Sequence, residues 1–272
     1  MGTSPSGIED LKAKMRGTWM AGDFGQIARY SAQRAEQFVD RLPIQAGMRV
    51  LDVACGTGNL AIPAARRGAD VTGVDIAPNL IEQAKQRANA EGLRAKFDEG
   101  DAEQLPYPDA EFDVVISMFG AMFAPRPDRV ASELVRVCRK GGTIAMANWT
   151  PDVLAGKLFA LSARYLPPPD GVPPPVLWGN EETVRQRFGN AVSSLKMARQ
   201  PFAMKFPFPP RDTVQLFRQY FGPIRVTFST LDEAAQAAYA KDLEGLWEEG
   251  NEAKDGTTSL STEYLEVIAT KA

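Results

Sequence analysis

Three aspartates stand in or at the end of short β-branched runs: Asp52 in RVLDVAC, Asp75 in ADVTGVD and Asp101 in AKFDEGD. Between the first two lies a turn, Ala54-Cys55-Gly56-Thr57-Gly58-Asn59, that leads into a helix near Leu60. Glycines permit a tight turn and let a ligand come close to bare backbone, so a flat or extended ligand is expected across it. A carboxylate at Asp52 suits an ammonium-bearing ligand and would sit poorly beside a pyrophosphate. Asp75 is placed to accept both hydroxyls of a ribose. Asp101 can accept an exocyclic N–H of adenine while Ala102 covers the ring; equally, it can cap a helix at Ala102–Gln104. Gly56-x-Gly58-x-x-Ala61 also fits the dinucleotide fingerprint, so a nicotinamide-dependent oxidoreductase stays open as an alternative.

The remaining composition narrows the chemistry. The chain of 272 residues has no histidine, which removes the commonest general base and transition-metal ligand. Its only cysteines, Cys55 and Cys138, form no CxxC or Cys/His cluster, so no metal site and no disulfide scaffold are expected. Thirty-one Lys and Arg against 34 Asp and Glu leave a net charge of −3, which offers no basic face for nucleic acid. No run approaches the roughly 20 apolar residues of a membrane span, and the first residues lack the apolar stretch of a signal peptide. A soluble cytoplasmic protein is the expectation.

The elements that must hold these residues follow from periodicity. Residues 8–41 read as two helices joined by the GDFG turn at 22–25. From Met48 short strands (49–55, 69–75, 95–101, 112–118, 142–149) alternate with helices, the rhythm of a parallel sheet in an α/β fold. Pro78 and Pro127 open helices, and Gly92 and Gly141 follow helix ends. After Trp149 the rhythm stops: a helix at 152–165 meets LPPPDGVPPP, whose prolines forbid regular structure. A short helix (180–188), extended segments at 192–206, helices near 211–221 and 231–249, and a closing strand at 262–270 complete the reading. Ligands of open α/β sheets lie beyond the carboxyl ends of the strands, so Met118, Phe119, Met122 and Phe123 after the fourth strand, and Trp149 after the fifth, are expected to face a reacting group. An apolar wall there would exclude water and stack on a flat acceptor.

DVACGTGN, GVDIAP, EGDAEQLPYPDAEFDVVIS and ELVRVCRKGGTIAMANW closely resemble successive motifs of class I S-adenosylmethionine-dependent methyltransferases, in particular the ubiquinone and menaquinone biosynthesis subgroup. The likeness spans roughly residues 45–150, with Ala54 standing where the family's first glycine usually is. It implies a Rossmann-like seven-stranded sheet, mostly parallel with an antiparallel last strand, helices on both faces, an N-terminal helical lid (1–44) bringing Asp23 and Phe24 near the ligand, a core of 45–195 and 262–272, and a cap at 196–261. S-adenosylmethionine is then the implied cofactor, held by Asp52, Ala54, Gly56, Gly58, Asn59, Asp75, Ile76, Asp101, Ala102, Met118 and Phe24. Phe119, Met122, Phe123 and Trp149 are left to face a small-molecule acceptor methylated at oxygen, nitrogen or carbon, mainly by alignment and desolvation and with no assigned base. A non-catalytic protein that keeps the cofactor cleft is the third reading.

Overall fold

The structure, a computed structural model, describes residues 5–272; residues 1–4 of the expected lid lie outside them. Helices α1 (Pro5–Ala21), α2 (Gly25–Ala28) and α3 (Ala32–Asp40) precede an alternating region. There β1 (Arg49–Val53), α4 (Ala61–Arg66), β2 (Asp70–Asp75), α5 (Pro78–Ala90), β3 (Ala95–Glu99), β4 (Phe112–Met118), α6 (Pro127–Val137) and β5 (Cys138–Trp149) follow one another. The last part holds α7 (Leu154–Tyr165), α8 (Glu181–Phe188), β6 (Val192–Phe206), α9 (Pro210–Tyr220), α10 (Gly222–Thr230), α11 (Glu233–Gly250) and β7 (Thr258–Lys271).

The strands form one seven-stranded sheet in the order β3-β2-β1-β4-β5-β7-β6. Strands β1 to β5 pair in parallel, and β7 runs antiparallel to both β5 and β6. Central strands with both faces covered need apolar residues at successive positions, and β1 and β4 supply them. On one face Phe38 and Val39 of α3 pack with Ala64 of α4 and Ala84 of α5. On the other, Val130, Leu134 and Val137, spaced along α6, pack with Trp178 and Phe188. Each of the buried Val, Leu and Phe side chains contributes about 1.5–3 kcal/mol relative to exposure. Pro78 and Pro127 stand at the first turns of α5 and α6, where the missing N–H costs nothing.

Two expected boundaries move. The sheet does not give way to a cap at 196, because β6 runs on to Phe206 and pairs with β7 along its whole length; β7 begins at Thr258, before the expected 262. As an edge strand β6 is held by backbone bonds and leaves many side chains in water, so its apolar alternation is weak. The N-terminal segment is also not all lid: α3 lies in the sheet's flank, and Arg41 after it pairs with Glu266 of β7 at 2.5 Å. What remains above the strand ends is α1, α2, α7 and α9 to α11, which share a separate apolar cluster.

Candidate active site

Strand β1 delivers the chain into a turn where Ala54, Gly56 and Gly58 all take positive φ, at 54°, 53° and 82°. This alternation turns backbone N–H groups toward the strand ends and needs little side-chain bulk. Asp75 fastens it: one carboxylate oxygen accepts the Gly56 N–H at 2.8 Å, the other the Ala77 N–H at 2.9 Å. Each oxygen keeps a further lone pair. Asp52 is buried beneath the turn and accepts the Ala61 N–H at 3.0 Å, capping the head of α4. Burial raises the Asp52 carboxyl well above its ordinary range, since one backbone bond does not replace lost water. Burial raises Asp75 as well, against the pull of its backbone bonds.

Ala54 is the residue that departs from the family's turn. Its left-handed φ costs an alanine roughly 1–2 kcal/mol. The space for its methyl comes from Gly120, where a Cβ would lie 2.4 Å from the Ala54 carbonyl oxygen and 2.6 Å from its Cβ.

Asp101 does two things at once. Its Oδ1 accepts the Glu103 N–H at 2.8 Å, the capping expected from sequence, although the segment is a turn and not a helix. Its Oδ2 pairs with Lys12 of α1 at 2.5 Å, and Lys12 also reaches the fully buried Glu103 at 3.1 Å. Burial works against the Lys12 charge, but the two carboxylates outweigh it and hold its pKa above the usual lysine value. Glu103 is further bound by the Arg126 side chain at 2.7 Å. Lys12 was not singled out from sequence. The available signal was its spacing: Ile8, Lys12, Met15 and Trp19 share one helical face, which set a lysine on the buried side.

Above the turn, Trp19 of α1 sits edge-on to Phe24, Phe123 and Phe221, with ring centroids 5.8, 5.1 and 5.9 Å away. Asp23 does not face the cavity; it accepts a hydrogen bond from Gln83 of α5 at 3.0 Å and so pins the GDFG turn. Asn59 donates to the Ala28 carbonyl at 2.9 Å and accepts from Arg87, which also reaches under the turn to the Thr57 carbonyl. After β4, Phe119 takes φ 61°, and its ring stacks on Trp149 at 3.7 Å and 3°. Phe202 of β6 stands edge-on to Trp149 at 5.1 Å.

One continuous cavity, open at its mouth, joins these groups. Asp52, Ala54, Gly56, Asn59, Asp75, Ile76, Asp101, Ala102, Met118 and Phe24 line it, as do Phe119, Phe123 and Trp149. Two residues do not. Gly58 is turned toward Ile62 and Ala84, where it lets α4 and α5 pack closely. Met122 is buried in the core, because the short 3-10 turn Ala121–Phe123 points it under the sheet and leaves Phe123 on the wall. Leu158 of α7, Phe206 of β6, Phe217 of α9 and Trp247 of α11 extend the wall from segments that carried no motif. Among the described residues no helix is long and apolar enough to cross a membrane, and no three His, Cys, Asp or Glu side chains cluster as a metal site.

A family profile described as "Methyltransferase domain" matches residues 50–142. The uncharacterized protein Rv1403c of Mycobacterium tuberculosis is 39% identical over 252 residues, covering 92% of this chain and 88% of its own. Methyltransferase GfsG of Streptomyces halstedii is 40% identical over 125 residues, 45% of each chain. The solved structure of YcgJ from Bacillus subtilis superposes with a TM-score of 0.61 at 18% identity, over 88% of this chain and 98% of that one. The antiparallel β7 agrees: dinucleotide-binding Rossmann sheets continue with a parallel sixth strand instead. The chain belongs to the class I S-adenosylmethionine-dependent methyltransferases, in a family it shares with Rv1403c.

Proposed function

We propose that the cavity holds S-adenosylmethionine along the β1–β3 ends and presents its methyl group to a small-molecule acceptor near Met118, Phe119 and Trp149. The observation that carries this reading is the single wall on which Asp52, Asp75 and Asp101 follow one another beside a bare left-handed turn. Asp75 receives the ribose hydroxyls on lone pairs its backbone bonds leave free, and Asp101 with Ala102 borders the adenine. Asp52 faces the amino-acid end, where an ammonium supplies the charge partner that its burial lacks. Bound there, the cofactor would supply an electrophilic methyl carbon to a lone pair of the aligned acceptor, with its sulfur as the leaving group.

The chain's own part is to align and to dry the reacting pair. Trp19, Phe24, Phe123 and Phe221 close over the turn and keep water from it. With no imidazole available, a base for the acceptor's proton would have to be an Asp, Glu, Tyr, Lys or Cys side chain, and none is assigned. Placement in the ubiquinone and menaquinone subgroup rests on the wording of the motifs alone.

Calorimetric titration of stripped protein with S-adenosylmethionine, S-adenosylhomocysteine and NAD tests the reading. Saturable binding of the first two and none of NAD is expected; NAD binding alone would overturn it. Failure of every acceptor in a labelled-methyl assay, with the cofactor bound, would instead favour a non-catalytic role.

A further inference from the structure

Among the described residues, the four charged ones on the cavity wall, Lys12, Asp52, Asp75 and Asp101, all stand at the cofactor end. Beyond Trp149 the wall is made by α7, β6, α9 and α11, through side chains such as Leu158, Phe159, Met204, Phe206, Phe217 and Trp247. Among the described residues, no charged side chain lines that part. An ion drawn into it would lose its water and find no counter-charge, at an effective cost of several kcal/mol.

We infer that this chamber admits an uncharged, mainly apolar acceptor. The inference rests on the methyltransferase reading for the direction in which the acceptor faces, but the binding it describes is measured separately. A carboxylate-bearing or phosphate-bearing molecule is disfavoured because, among the described residues, no cation lines the wall beyond Trp149. A permanent ammonium finds aromatic faces but no carboxylate, and the inner faces of Phe119 and Trp149 are taken by each other.

The test uses the full chain saturated with S-adenosylhomocysteine and four probes of similar size: naphthalene, a naphthol, a hydroxynaphthoic acid and a naphthylmethylamine. The naphthol is expected to bind at least tenfold more tightly than either charged probe. Equal or tighter binding of the acid or the amine would overturn the inference, as would the absence of saturable binding by both neutral probes. Cofactor titration alone decides the methyltransferase reading, so the two failures are distinct.

Discussion

At one end of the cavity the wall is backbone and carboxylate: a left-handed turn, three aspartates at strand ends, and hydrogen bonds of 2.8 to 3.0 Å that hold each of them. At the other it is hydrocarbon and aromatic ring, contributed by helices and an edge strand that come together only in the folded chain. The first end fixes the position of hydrogen-bonding atoms, which tolerates few residue types. The second fixes a volume and an absence of charge, which many apolar combinations can meet. A fold built this way can keep one ligand and change the other by substituting residues that bear no motif.

Lys12 ties helix α1 to the cofactor end, and removing it is the most forceful way to break the comparison. Lys12→Met keeps the stem but leaves Asp101 without its ion pair and the buried Glu103 with Arg126 alone. Loss of one member of a buried cluster is expected to cost about 3 kcal/mol. Urea unfolding reads that loss, and hydrogen exchange should locate it in α1. An unchanged midpoint with unchanged exchange would show that α1 is held by Trp19 and its aromatic neighbours alone.

That residue also marks the limit of what could be read beforehand. The turn, the three aspartates and the alternation of strand and helix were legible because each depends on residue type at fixed spacing along one segment. Lys12 was half legible: its helical face was visible, but its partners lie about ninety residues away. Met122 and Phe123 looked alike, and only the 3-10 turn after β4 sends one into the core and the other to the wall. Strand β6 escaped assignment to the sheet because an edge strand is specified by its backbone more than by its side chains. Tyr239, Leu243 and Trp247 mark a buried face of α11, yet nothing in that spacing tells which of them meets a cavity.

Asp75 should show the cofactor end behaving as a charge-and-geometry site. Asp75→Ala removes the proposed ribose acceptor and two bonds that hold the turn. At least a tenfold loss of S-adenosylmethionine affinity is expected, about 1.4 kcal/mol, with the naphthol affinity of the chamber little changed. Calorimetry on the folded variant checks both; unchanged cofactor affinity would sink the assignment of that acid.

Asp52 gives a smaller effect whose sign is informative. Burial raises its carboxyl in the free protein, so it holds its proton to higher pH than in the unfolded chain. Its contribution to stability is thus fully present below the ordinary carboxylate range and is lost as pH rises toward the raised value. An ammonium bound beside it reverses the preference, so cofactor binding should release a proton in that window and strengthen as pH rises through it. Asp52→Asn keeps an acceptor for the Ala61 N–H but cannot titrate. The variant is expected to bind more weakly at neutral pH, to lose the pH slope, and to be at least as stable without ligand. Titrations in two buffers of different ionisation enthalpy measure the proton; release that persists in the variant would place it elsewhere.

The smallest expected effect concerns the residue that departs from the family. Ala54→Gly relieves a left-handed alanine, worth roughly 1–2 kcal/mol, but the glycine gives back about 0.5–1 kcal/mol through the freedom of the unfolded chain. It also opens a gap facing Gly120. The net gain should be under about 1 kcal/mol, a rise of roughly 1–3 °C in Tm for a chain of this size, with cofactor affinity unchanged. Ala54→Val should move the other way and further, since a branched side chain tolerates this φ poorly and meets the Gly120 backbone. If the glycine variant melts lower than the parent, the contact between the Ala54 methyl and Gly120 outweighs the strain. The two residues then act as a matched pair, and the turn depends on a side-chain fit of the kind that otherwise belongs to the chamber.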